Sequence, residues 1–333
     1  MNDLNLQIDT FYSKILDLLK SAHKTVYQSV NSTMVETYYK IGRLIVDEEQ
    51  QGKEKAKYGQ NLINALSQRL SVEFGKGFSA TNLKQMRSFY LVYSKGQTVS
   101  DEFRLSWSHY LKLMRIDDEN ERKFYEIESF KNNWSNSELH RQYDSALYTR
   151  LSLSRNKSEV LELSAKGLVI EKPKDAIKDP FILEFLGLPE KSVYSESDLE
   201  QKLIDKLEHF LLELGTGFTF VARQKRISFD EKHFRIDLVF YNRILKSFVL
   251  IDLKIGELKH QDIGQMQMYV NYYDREIRLK DENKTIGLIL CQNKSESVVQ
   301  YTLPENNEQI FASKYQTVLP SKEKLKELIE NKE

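Results

Sequence analysis

Residues 233–256 read HFRIDLVFYNRILKSFVLIDLKIG, two apolar runs around a short polar turn with one acid near the middle of each run. Runs rich in Ile, Val, Leu, Phe and Tyr on either side of such a turn predict a β-hairpin. If the hairpin is symmetric about Ile244–Leu245, the acids Asp237 and Asp252 fall directly opposite each other and share one face. Two opposed carboxylates repel, and in a poorly solvated setting one must hold a proton unless a cation sits between them. Oxygen ligands without nearby histidine or cysteine favour Mg²⁺ or Mn²⁺ over zinc. Lys254 lies two residues beyond Asp252, so the two-residue strand period puts its ammonium beside the carboxylates. There it could orient or deprotonate an attacking water, or stabilise charge building on a phosphorus.

Outward from the hairpin, the pattern predicts a helix over 198–214, strands over 218–229, 234–241 and 248–255, a helix over 262–279 and a strand over 285–291. The order is αβββαβ, an α/β fold with a mixed sheet. S-D-L-E at 197–200 reads as a capping box, and Gly215-Thr-Gly217 as the stop. Glu200 recurs at helical spacing with Leu203, Ile204, Leu207, Leu211 and Leu214, which puts a carboxylate on the core-facing stripe as a further ligand. On the later helix, Gln265 and Tyr269 stand four residues apart and share a face, from which they could orient waters or a phosphate.

From Leu4 to about Arg155 apolar residues recur at spacings of three and four and proline is absent, so this half reads as helical. The prolines begin at Pro173 within EKPKDAIKDP, and the domain boundary is placed at 170/171: a helical domain over 1–170 and the αβββαβ domain over 171–333. Within 58–93 a helix, a turn at FGKGF and a second helix starting at Ser79 suggest a helix-turn-helix. Between Arg69 and Lys95 five basic residues (Arg69, Lys76, Lys84, Arg87, Lys95) face one acid, Glu73, a local balance of +4 suited to phosphate. Lys84, Gln85 and Arg87 are the candidate nucleic-acid contacts on the second helix. Ser106 and His109 in LSWSHYLKLM invite a hydrolase reading, but no nucleophile elbow or third partner accompanies them, and His109 reads as a hydrogen-bonded structural histidine.

The 49 basic and 49 acidic residues cancel, so any nucleic-acid contact must be a local patch rather than bulk attraction. A single cysteine, Cys291, excludes disulfides and cysteine-zinc sites and reads as a small buried side chain. The N-terminus alternates charge with apolar residues, and no run of roughly 18 apolar residues is present, so the expectation is a cytoplasmic protein without a membrane span.

At Asp237, Asp252 and Lys254 the chain resembles the PD-(D/E)xK, restriction-endonuclease-like superfamily, whose core order is αβββαβ. More closely, it is similar to the bacterial YhcG family through YSESDLEQKLIDKLEHFLLELGTGF, ARQKRI, the run from Ile236 to Asp274, and upstream YGQNLINALSQRLSVEFGKGFSATNLKQMRSFY and LSWSHYLKLM. Two positions depart from the pattern: Ile236 stands where the motif name has proline, and Asp252 where many relatives carry glutamate. The resemblance implies a DNA-cleaving nuclease with Asp237 and Asp252 as metal ligands, Lys254 as the catalytic lysine, Glu200 as a helix-borne acid and Gln265 in the family's helix motif. It implies hydrolysis of DNA phosphodiesters by metal-activated water, with Mg²⁺ or Mn²⁺; RNA is the less favoured substrate, since no aromatic-basic platform for it stands out in the sequence. A homodimer or larger nuclease or restriction assembly would suit cutting two antiparallel strands. The rival is a binding or assembly subunit that keeps the fold with too weak a metal site to cut.

Overall fold

The computed structural model describes residues 2–51, 56–94, 103–152, 157–189, 194–229 and 231–318. The chain divides into two compact units, Met1–His140 and Arg141–Glu333. Lys95, counted in the basic island, lies outside the described residues, as do 319–333. No described helix is long and apolar enough to cross a membrane.

The first unit is helical, as its periodicity predicts. It runs through α1 (Asn2–Gln51), α2 (Ala56–Phe74), a 3-10 turn at Lys76–Phe78, α3 (Ala80–Tyr93), α4 (Trp107–Leu113) and α5 (Glu119–Lys131). Ser79 caps α3 by accepting the Asn82 amide at 3.3 Å. Leu83 and Met86 then turn inward, three residues apart, onto Ile45 and Ile63. Gly42 permits the close approach of α1 to α3, since a Cβ there would lie 2.1 Å from the Met86 carbonyl oxygen. The helix pair α2–α3 is present where a helix-turn-helix is expected. His109 is buried, with Nδ1 2.6 Å from Ser106 Oγ and Nε2 3.0 Å from the Trp134 carbonyl oxygen. Nε2 faces a carbonyl and donates, and burial lowers the pKa of the ring, which favours the neutral form in which Nδ1 accepts from the serine; the histidine is a structural one.

Next come α6 (Asn136–Asp144), α7 (Leu147–Ser152), α8 (Lys157–Lys166), β1 (Phe181–Ile182), α9 (Glu196–Asp205), α10 (Leu207–Leu214), β2 (Phe218–Phe229), β3 (Lys232–Asn242), β4 (Ser247–Glu257), α11 (His260–Tyr272), β5 (Ile286–Asn293), α12 (Glu296–Thr302) and β6 (Ile310–Gln316). The sheet is mixed, in the order β1-β6-β5-β4-β3-β2. The β2–β3 and β3–β4 pairs are antiparallel, whereas β4–β5, β5–β6 and β6–β1 are parallel. One face buries Leu238, Phe240, Ile251 and Leu253 under Leu199 and Leu203 of α9 and Phe210 and Leu214 of α10. The other buries Ile236, Val239, Leu250 and Ile289 under Ile263, Met266 and Tyr269 of α11, with Cys291 fully buried among them. Each such Leu or Ile contributes about 1.5–3 kcal/mol by leaving water. Gly287 on β5 lets α11 sit close, because a Cβ there would lie 2.5 Å from Met266 Cγ.

The compact units divide at His140/Arg141, and a charge from 141–170 ends inside the second unit: the fully buried Arg150 meets the equally buried Glu213 of α10 at 2.7 Å. Two expectations are corrected. The helix over 198–214 is two helices, with Lys206 leaving helical geometry (φ −118°, ψ 32°) between them. The capping box belongs to Ser195 and Asp198 rather than to Ser197 and Glu200, which frees the Glu200 carboxylate from any capping duty.

Candidate active site

The hairpin turns where expected. Asn242 Oδ1 accepts the amides of Ile244 and Leu245 at 3.0 and 3.1 Å, an Asx turn that fixes the register. That register runs from Asn242↔Ser247 to Leu238↔Ile251, so Asp237 and Asp252 stand one step beyond the last paired residues. There the backbone ladder gives way to a side chain: Asp237 Oδ2 accepts the Leu253 amide of β4 at 2.8 Å. The two-residue alternation slips at the same place, since Ile236 and Val239, three residues apart, enter the same core. The strands loosen where the acids lie.

Asp252 is 2% exposed and its Oδ2 lies 2.9 Å from Lys254 Nζ. Burial pushes the Asp252 carboxyl up to about 7; the Asp237 charge adds to the rise and Lys254 opposes it. Asp237 is raised as well, first by burial, against the Leu253 amide and Lys254. Burial works against the Lys254 charge, yet Asp252, Glu196 and Asp237 outweigh it and hold the lysine above its ordinary value. Glu196 of α9 lies 3.7 Å from Lys254 Nζ and accepts the Ile255 amide at 3.1 Å, tying the helix start to β4.

Glu200 is 5% exposed and raised, chiefly by burial. It joins the pair through a residue that the sequence does not single out. Gln224 Nε2 donates to Glu200 Oε2 and, at 3.1 Å, to Asp237 Oδ1. Gln224 holds a left-handed φ of 45° just past the irregularity at Phe220/Ala222, which shifts the β2–β3 register. A bulge of this kind leaves no clear trace in an alternation pattern, so the position opposite Asp237 could not be assigned beforehand. Arg223 Nε stands 3.4 Å from Glu200 Oε1. Gln265 donates to the Tyr269 hydroxyl, which donates to the Arg235 carbonyl at 2.9 Å, so this helix pair braces the β3 backbone that leads into Asp237.

Asp237, Asp252 and Lys254 are thus gathered, with Glu200 held beside them by an amide. Among the described residues, no three acidic, histidine or cysteine side chains already converge as a cation cage. The donor set nevertheless suits a hard divalent ion: the two neighbouring carboxylates are oxygen ligands, and a cation would offset both the burial and the Asp237 repulsion that raise Asp252. Of the N-terminal candidates, Lys84 is exposed, Gln85 is half-buried with an Oε1 that has no hydrogen-bond partner, and Arg87 is held by Glu49 at 2.6 Å.

A stability measurement follows from these shifts. Asp252 binds its proton more tightly folded than unfolded, so between about pH 4 and 7 the native state carries the extra proton and stability falls as pH rises. In EDTA, urea denaturation is expected to show this decline, and Asp252→Asn to flatten it. Millimolar Mg²⁺ is expected to restore stability at the upper end by binding the native state.

The family described as the YhcG PDDEXK nuclease domain matches residues 174–330, and the DUF1016 N-terminal domain matches residues 14–150. A protein of Escherichia coli (strain K12) called "Putative nuclease YhcG" is 40% identical over 341 residues, covering 93% of this chain and 90% of its own. Among solved structures, a repair endonuclease from Pyrococcus abyssi matches 40% of this chain and 50% of its own, at 17% identity and a TM-score of 0.28. An EndoMS–dsDNA complex matches 40% and 49%, at 16% identity and a TM-score of 0.28. This chain therefore spans about half the length of either solved structure.

Proposed function

This chain belongs to the YhcG PDDEXK nuclease family, and on that premise we propose that it hydrolyses DNA phosphodiester bonds at Asp237, Asp252 and Lys254. The observation that carries the reading is the meeting of two buried carboxylates and an ammonium where the β3–β4 ladder opens. Asp237 and Asp252 would hold Mg²⁺ or Mn²⁺, and Glu200 would join them once Gln224 releases it. Such an ion supplies a Lewis acid for a phosphoryl oxygen and lowers the pKa of water. Lys254 faces the same point and can stabilise charge growing on the phosphoryl oxygens, which a fixed ammonium does with little reorganisation. The Glu196 carboxylate and the Ile255 amide brace the lysine strand. Gln265 acts at one remove, by holding the Tyr269 hydroxyl against the backbone that leads into Asp237.

The nuclease activity is assigned to the region from residue 171 onward, and the helices up to 170 to holding DNA, with exposed Lys84 as a phosphate contact. Gln85 and Arg87 fit that role less well, one half-buried and the other paired with Glu49. A binding scaffold without cleavage is the second reading, favoured by the Gln224 amide standing between Glu200 and Asp237. Calorimetric titration with Mn²⁺ separates the two. The nuclease reading expects a binding isotherm that Asp237→Ala abolishes, whereas the scaffold expects no isotherm from either protein.

A further inference from the structure

We propose that Arg226 and Arg235, facing each other across the β2–β3 hairpin, form a clamp for the DNA backbone that leads into the carboxylate site. The proposal rests on the nuclease reading for the identity of its partner. The two arginines are direct cross-strand partners. Like charges in that relation destabilise a hairpin unless something neutralises them. Among the described residues neither forms an ion pair. Lys225 and Lys232 beside them are exposed as well, and Glu231, the described acid at this hairpin's turn, pairs with none of the four.

The placement is fixed rather than incidental. Ile227 and Ile236 are buried in the core beneath α11, so the neighbouring Arg226 and Arg235 project from the opposite side of the hairpin. That is the side on which α9, the helix carrying Glu200, packs. Phe229 and Phe234 stack with ring centroids 5.2 Å apart, and Ser228 Oγ lies 2.9 Å from His233 Nδ1, so the hairpin end is braced on both sides. The arginine pair stands two residues from Gln224 and Asp237, roughly 7 Å along the strands at about 3.3 Å per residue. That spans the rise of about two nucleotides of one DNA strand. Protecting the sheet edge would explain charges on β2, the edge strand, but not Arg235, which lies on β3. A polyanion with regularly spaced phosphates accounts for both.

The test is binding of a short fluorescent DNA duplex by the full chain in EDTA, measured by anisotropy over a range of salt concentrations. Arg226→Gln/Arg235→Gln is expected to weaken binding and to reduce the slope of log affinity against log salt by about two, one for each lost phosphate contact. Arg226→Lys/Arg235→Lys is expected to retain most of the slope. The thermal midpoint of the glutamine variant should be unchanged or raised, since repulsion has been removed. A glutamine variant with wild-type affinity and slope overturns the proposal, and so does a wild-type protein that does not bind the duplex. Because the readout is binding without a cation, a protein that binds through these arginines yet never cuts sinks the nuclease reading and leaves the clamp standing.

Discussion

Asp237→Asn is expected to lower DNA cleavage by on the order of a thousandfold while leaving the fold intact. Asparagine keeps an oxygen to accept the Leu253 amide, so the junction of β3 and β4 survives, but it removes one of the two charges that would hold the cation. Loss of cation-dependent transition-state stabilisation amounts to several kcal/mol, and each ~1.4 kcal/mol is tenfold in rate. Asp237→Ala loses the charge and the amide acceptor together, so its midpoint in urea should fall as well. Single-turnover cleavage measured beside urea denaturation distinguishes the variants. A fully active Asp237→Asn protein would remove this carboxylate from the mechanism.

The second large effect lies away from the site. Glu213→Ala is expected to destabilise the protein by about 3–5 kcal/mol, the usual cost of breaking a buried ion pair and leaving its partner uncompensated. Glu213 Oε1 accepts from Arg150 Nη1 at 2.7 Å and from the Ile182 amide at 3.1 Å, Arg141 Nη1 stands 3.7 Å from Oε2, and Lys178 donates to its backbone carbonyl. Burial alone would push this carboxyl up; Arg150, Lys178 and Arg141 outweigh burial and hold it below its usual value. The paired change Arg150→Leu/Glu213→Leu should cost less than either single change, because neither member of the fully buried pair is left without the other. Equilibrium denaturation of the three variants reads this directly, and additive single losses would show that the pair is not coupled.

The network also explains what the sequence does not disclose. Arg150 and Glu213 are 63 positions apart, each an ordinary charge on a helical stretch, and only the folded chain brings them together. The hairpin was legible because its information is local: two apolar runs, a turn closed by Asn242, and a two-residue period that fixes which side chains meet. Strand β2 was legible from Phe218 to Phe229 for the same reason. Strands β1 and β6 were not, since β1 has two residues and β6, IFASKYQ, mixes small and charged residues into its run. At the site, Asp237, Asp252, Lys254 and Glu200 could be named from spacing, whereas Gln224 depends on a bulge and a left-handed backbone that no alternation pattern reveals.

The central claim is that cation-dependent phosphodiester hydrolysis occurs at the β3–β4 junction. Incubating supercoiled plasmid with purified wild type, Asp252→Ala and Lys254→Ala in Mg²⁺, Mn²⁺ or EDTA tests it most directly. Nicking or linearisation by wild type with either cation, absent in EDTA and lost in both variants, is the result this account predicts; cleavage that persists in EDTA or in Asp252→Ala would contradict it.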